Sequence, residues 1–279
     1  MTSRIARADL RGATDVQRAH TVEHHKAHLV CHVRFRGFSV TKDMASWYGT
    51  VDPGKQGHQD EEMGDKIMSE TIAGVQIPDS ALAREATELV REVAAPLLFD
   101  HSRRVFLWGS LRGREQDVQF DPELLYVGAM FHDLGLTERY RRTDQRFEID
   151  AADEARRFLH SHDISQEAAD RVWTAIALHT TPEIPLHMTA EIALLTRGVE
   201  LDVLGIGYHA VSDEQRAAVV EAHPRPDFKN RILAAFTEGL KDRPETTFGN
   251  VKADVLAHCL PGFVRGDFVE VVRSSPWPE

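Results

Sequence analysis

From Pro78 onward, apolar residues recur at steps of three and four, the spacing that lines one face of a helix. Leu82, Ala86, Leu89 and Val93 form the first stripe, with Asp79 or Ser80 as its cap, and Pro96 interrupts it. A second helix is expected over 100–112, stopping at Gly113. A third opens at Asp121-Pro122, with proline in the first helical position, and runs through Leu125, Ala129 and His132. A fourth starts near Asp150 and carries Ala155, Phe158 and Leu159. A fifth follows the capping signal Asp163-Ile164-Ser165-Gln166 and ends at Thr181-Pro182. A sixth spans 188–206, and shorter helices are expected over 214–222, 228–240, 250–259 and within 263–272. No alternating pattern of useful length marks a strand, and no repeat is present, so the expected class is an all-α helical bundle.

Residues 1–75 follow no such period. They mix Arg4, Arg7, Arg11 and Arg18 with His20, His24, His25, His28 and His32, and then run into a polar, Gly-rich stretch over 49–64. A loosely ordered N-terminal extension accounts for this composition more simply than a His-rich metal tract does. Asp9, Asp15 and Glu23 argue against an organelle-targeting leader, and Met44 or Met63 would serve as alternative starts. The expected organisation is therefore an extension over 1–75 and one helical domain over 76–279.

The remaining composition narrows the partners. The chain of 279 residues is 42% hydrophobic with a formal net charge of −11, so a phosphate backbone is repelled and nucleic acid is not expected. Cys31 and Cys259 are too few and too far apart for a disulfide framework or a cysteine zinc site, which suits a reducing cytoplasm. The longest apolar runs fall short of a membrane span, and the start lacks the apolar core of a signal peptide. A small-molecule substrate is expected, and an apolar helical surface leaves room for a homo-oligomer.

Four of the expected helices place a metal-type ligand on their apolar stripe. His101 is in step with Val105 and Trp108, His132 with Leu125 and Ala129, His179 with Val172 and Ile176, and Asp202 with Leu195 and Val199. A lone histidine on an apolar face is usually a satisfied core histidine. Carboxylates are different: a buried one costs several kcal/mol, in rough terms, unless it is paired or metal-bound. Asp202 sits among Leu201, Val203 and Leu204, and Asp133 among Phe131 and Leu134. Two inward carboxylates and three inward histidines on four helices point to one divalent cation. Nitrogen with carboxylate oxygen suits Zn, Fe, Mn or Co better than Ca or Mg.

The tract Leu124-Leu125-Tyr126-Val127-Gly128-Ala129-Met130-Phe131-His132-Asp133-Leu134-Gly135 resembles the signature of the HD-domain superfamily of metal-dependent hydrolases. His101 upstream and Asp202 downstream complete the superfamily's pattern. A closer resemblance is to the cyanamide hydratase-like branch. It is carried by Asp100-His101-Ser102-Arg103-Arg104-Val105-Phe106-Leu107-Trp108-Gly109, Arg146-Phe147-Glu148-Ile149-Asp150-Ala151-Ala152, Ala177-Leu178-His179-Thr180, Gly198-Val199-Glu200-Leu201-Asp202-Val203-Leu204-Gly205 and Ser275-Pro276-Trp277. The resemblance covers about 75–279. It implies an HD helical bundle with one divalent transition metal, zinc first and then Fe, Mn or Co, on His101, His132, Asp133 and Asp202. Dinuclear relatives carry a further histidine where Phe147-Glu148-Ile149-Asp150 stands, and nucleotide hydrolases often have a lysine where Leu134-Gly135-Leu136-Thr137-Glu138 stands. Both departures favour a mononuclear site and a small substrate.

The reaction so implied is attack of metal-bound hydroxide on a small molecule, hydration of cyanamide or a related nitrile. His179 is the candidate to shuttle a proton or orient the substrate, and Asp133 a catalytic ligand. Glu148 is a weaker acid/base candidate whose other reading is a helix N-terminal acid favoured by the dipole. Thr180 and Arg146 are candidate substrate contacts, although a threonine at a helix C-terminus needs no such role. The alternative is a phosphohydrolase acting on a nucleotide or small phosphoester, suggested by Arg139-Tyr140-Arg141-Arg142 with Arg146 behind it; the plainer reading of that run is a solvated loop. A third reading is a binding protein whose metal His179 closes off. Trp108, Trp173 and Phe131 either wall the pocket or fill the core.

Overall fold

A computed structural model describes residues 70–247 and 257–278. The loosely ordered extension expected over 1–75 and the helix expected over 250–259 lie largely outside those residues. The described chain opens with a hairpin, β1 (Thr71–Ile72) and β2 (Val75–Gln76), paired antiparallel. Its turn, Ala73-Gly74, has positive φ at both residues, which suits the right-handed twist of the flanking strands. Ile72, Val75 and Ile77 are buried, so the hairpin is anchored to the helical core and straddles the boundary expected at residue 75. Two-residue strands are too short to leave an alternating signature.

The rest is helical. α1 (Ala81–Val93) is capped by the Ser80 hydroxyl, which accepts from the Ala83 amide, and α3 (Pro122–Phe131) by Asp121, which accepts from Glu123 and Leu124. α2 (Pro96–Glu115) begins at Pro96, so the proline that interrupts the first stripe also starts the second helix. Gly113 does not end α2, contrary to expectation. A Cβ there would stand 2.9 Å from both Leu194 and Phe120, so the glycine serves close packing. α4 (Phe147–Ser161) and α5 (Gln166–Leu178, capped by Ser165) follow.

α6 (Ala190–Val199) crosses α2 at unusually short range. A Cβ at Gly109 would lie 2.7 Å from the Leu194 carbonyl oxygen, and one at Gly198 would lie 2.3 Å from that of Val105. The helix expected to continue through 206 instead widens into a π turn, Glu200–Leu204, and stops at Gly205, whose φ of 70° terminates it. α7 (Asp213–Ala222), α8 (Phe228–Leu240) and a short α9 (Phe268–Arg273) complete the unit.

Trp108 and Phe131 are fully buried core residues. Trp173 is half-buried and donates to Asp153 at 2.8 Å, so none of the three aromatic candidates walls the cavity described below. Buried Arg243 donates to Asp150 at 2.5 Å and to the Gly135 carbonyl at 2.6 Å, which ties the end of α8 to the turn after Asp133 and to the start of α4. No described helix is long and apolar enough to cross a membrane.

Candidate metal centre

Three elements converge on Asp133. α2 contributes His101, and α3 ends at Phe131, so His132 is its C-cap and Asp133 the next residue. Donor atoms of His101, His132 and Asp133 all lie within 4.8 Å of one another, and all three residues are buried. His132 Nε2 is 3.2 Å from His101 Nε2 and 3.3 Å from Asp133 Oδ2, and His101 Nε2 is 3.6 Å from the same oxygen. Opposite them, His179 at the C-cap of α5 sets its Nε2 3.6 Å from Asp133 Oδ1.

The helix ends fix which nitrogen faces inward. The last carbonyls of a helix lack intrahelical donors. His132 Nδ1–H donates to the Ala129 carbonyl at 2.7 Å and His179 Nδ1–H to that of Ile176 at 2.6 Å. A carbonyl only accepts, so Nδ1 carries the proton and Nε2 carries the lone pair in both rings. His101 Nδ1–H donates to Asp202 at 2.7 Å, with the same result. Two imidazole lone pairs 3.2 Å apart repel unless a cation lies between them.

The donor set fits a metal ion. Both oxygens of Asp133 and His179 Nε2 are buried with no hydrogen-bond partner, a costly arrangement unless something else satisfies them. Tetrahedral ligands about 2.1 Å from an ion are roughly 3.4 Å apart, close to the spacings among His101, His132 and Asp133. Electrostatics keep Asp133 in the ionised form that a metal ligand needs. Burial would push the Asp133 carboxyl up, but His132, His179 and His101 hold it well below the usual carboxylate range. Burial pulls His132 down, and the adjacent Asp133 charge outweighs it, leaving the imidazole raised. At His101 burial prevails over Asp202 and the ring is lowered.

Asp202 departs from the expected ligand set. Its Oδ1 accepts from Arg104 Nε at 2.9 Å, Trp108 Nε1 at 2.8 Å and Arg225 Nη1 at 2.6 Å. Its Oδ2 accepts from Arg104 Nη2 at 3.0 Å and from His101 Nδ1. Five donors saturate the lone pairs of one carboxylate. Asp202 therefore stands behind His101, facing away from the cluster. Burial opposes its ionisation, yet Arg104, Arg225 and His101 hold it well below the usual range. The π turn presents it to α2, and Trp277 closes the turn by donating to the Leu201 carbonyl at 2.7 Å.

The cluster opens on a cavity of about 490 Å³ that His179, Glu148, Thr180 and Arg146 also line. Glu148 is buried and accepts from Arg146 and Thr180, each at 2.5 Å. Burial would raise its carboxyl, but those two contacts hold it below its ordinary value. The basic run after Asp133 turns elsewhere: Arg139 pairs with Glu92, Arg141 donates to the Glu238 carbonyl, and Arg142 pairs with Asp144. Sequence reasoning missed Arg104, Arg225, Glu200 and the apolar lining. Only Arg104 left a signal, as a charged residue within the apolar run that carries His101.

The HD domain family model matches residues 98–218, a span that contains every residue of the cluster. Two cyanamide hydratases of Saccharomyces cerevisiae are each 30% identical to the chain over 158 residues, which is 55% of this chain and 70% of each relative. A buried His-His-Asp cluster, the matching domain and these relatives agree, and the chain belongs to the HD family of metal-dependent enzymes, in its cyanamide hydratase-like branch.

Proposed function

We propose that this enzyme adds water across the carbon–nitrogen triple bond of a small, neutral nitrile, with cyanamide and its product urea as the reference pair. One divalent transition metal, zinc first, is held by His101, His132 and Asp133. The observation that carries the reading is the set of imidazole lone pairs and unpartnered Asp133 oxygens facing a largely apolar cavity. A metal bound there supplies Lewis acidity and water of lowered pKa.

The chain's own groups supply the rest. His179 has its Nδ1–H committed to Ile176 and an unpartnered Nε2 on the cavity side, so it can accept a proton from water and return it to the nitrile nitrogen. Glu148 is ionised and already accepts three hydrogen bonds, two from Arg146 and one from Thr180; it orients both and does not serve as an acid. Thr180 and Arg146 are the contacts for the polar end of the substrate. Asp202 holds the His101 ring in its metal-facing tautomer.

Charge argues against the phosphoester alternative. Among the described residues, Asp133, Glu148 and Glu200 line the cavity with Arg146 as the one guanidinium, and Glu148 balances its charge, so the lining offers no surplus of positive charge to a phosphate. The free, exposed thiol of Cys259 suits a reducing cytoplasm. Elemental analysis of the purified protein, with urea formation from cyanamide and amide formation from small nitriles, tests the reading. About one metal per chain and nitrile turnover are expected. Phosphate release from nucleotides without nitrile turnover would reverse it.

A further inference from the structure

We infer that the physiological substrate is a neutral molecule with an apolar body, in the size range of a medium-chain aliphatic or aryl nitrile and well above cyanamide. The chemistry at its polar end rests on the nitrile-hydration reading; the size and character of its body rest on the cavity alone.

The cavity is far too large for the reference substrate. Cyanamide has three heavy atoms and fills about 60 Å³, roughly twice a water's share of liquid volume. The cavity holds about 490 Å³, within the range of sites that enclose whole organic ligands. A three-atom substrate would leave most of that space to water against an unreceptive wall.

That wall is apolar and continuous. Phe147, Val199, Val203, Phe236, Leu240 and Phe268 line the cavity from four different elements: the start of α4, the α6 end with its π turn, α8 and α9. Their rings form a path away from the cluster. The Phe147 ring is 5.5 Å from that of His179 and 5.5 Å from Phe236, and Phe236 is 6.2 Å from Phe268. Phe268 remains 47% exposed at the outer end, so the path runs from the metal-facing histidine to solvent. The charged lining is carboxylate-rich, which disfavours an anionic body. His179, Thr180, Arg146 and Glu148 offer polar contacts in the same cavity as this apolar path, and Glu200, Thr246 and Thr247 are further polar members of the lining, a combination that suits a molecule with a polar end and an apolar body.

Straight-chain primary amides, the products of nitrile hydration, probe the inference without turnover. Isothermal titration of the metal-loaded full chain with urea and with amides from acetamide to octanamide is expected to give affinity rising about fourfold per added methylene, with urea the weakest ligand. Phe236→Ala, which removes wall, and Leu240→Trp, which fills the cavity, are each expected to cut hexanamide affinity at least fivefold while leaving acetamide within twofold. Two variants guard against one misfolding, and retained metal content with unchanged circular dichroism qualifies each. Affinity that does not change with chain length overturns the inference, as does a slope that neither folded variant alters, because the amides would then bind elsewhere. Failure of the two readings is separable. Cyanamide turnover with a flat amide series sinks the apolar substrate and keeps hydration. A steep series with no hydration of cyanamide or hexanenitrile sinks hydration and keeps the apolar ligand.

Discussion

Replacing Asp202 by asparagine separates a positioning carboxylate from a metal ligand. The substitution keeps the shape of the side chain and removes its charge. Asp202 is fully buried, Arg104 is also fully buried, and Arg225 nearly so. Asparagine leaves one acceptor oxygen for five donors and turns an amide N–H toward guanidinium groups. Removing one partner of such a buried ion pair costs about 3–5 kcal/mol, and no solvent is present to screen it. For a unit of this size that lowers Tm by roughly 6–20 °C. The cost falls on the folded chain itself, so it persists after the metal is stripped. Loss of the acceptor for His101 Nδ1–H should weaken metal binding by about 10- to 100-fold without abolishing it. The assay is urea denaturation of chelator-treated wild type, Asp202→Asn and Asp133→Asn, with metal affinity measured by competition. Asp133→Asn has no hydrogen bond to lose at its carboxylate oxygens, so it should cost less in the metal-free protein yet bind no metal. If Asp202→Asn abolished metal binding and left metal-free stability within about 1 kcal/mol of wild type, too small a change for a broken buried pair, Asp202 would be a ligand and the geometric argument wrong.

Three further outcomes are expected. His179→Ala should lower kcat about 10²- to 10⁴-fold with one metal per chain retained, checked by parallel kinetics and elemental analysis; loss of the metal would make His179 a ligand instead. Gly198→Ala should destabilise by about 3 kcal/mol, the upper end of overpacking, because the new Cβ meets the Val105 carbonyl of α2; an unchanged urea midpoint would mean that α2 and α6 part freely. Asp202 titrates below its unfolded value of about 3.9, so its contribution to stability is complete above that pH and is lost as pH falls through the folded value. Stability measured from pH 5 to pH 2 should therefore fall more steeply for wild type than for Asp202→Asn, and equal slopes would contradict the Arg104 and Arg225 pairing.

The helices were legible where local chemistry decided them. Ser80, one of two candidates, and Asp121 cap the elements that their positions predict, and the signal over Asp163–Gln166 resolves to Ser165 as the cap, because a cap needs only its own turn. Gly113 misled because helix termination competes there with packing against Leu194 and Phe120, which no local pattern records. The π turn at Glu200–Leu204 was hidden for a similar reason. Its residues keep an apolar rhythm, and the widening answers to α2 and Trp277 from distant parts of the chain.

The site was legible in its direction and less so in its contacts. Stripe spacing established that His101, His132, His179 and Asp202 face inward, and all four are buried with Asp133. What an inward carboxylate meets depends on the facing helix. Arg104 lies one turn after His101 and one turn before Trp108 on the same face of α2, and all three reach Asp202. A guanidinium on that stripe has to be neutralised on burial, and the nearest inward carboxylate is the group that does it. By the same reasoning the ion-pair partners of Asp133 among the described residues are histidines, so its charge is left for a cation to satisfy. Among the described residues, the local balance of fixed positive charge, Arg104 and Arg225 at Asp202 against histidines alone at Asp133, is what separates the carboxylate that supports the centre from the one that forms it.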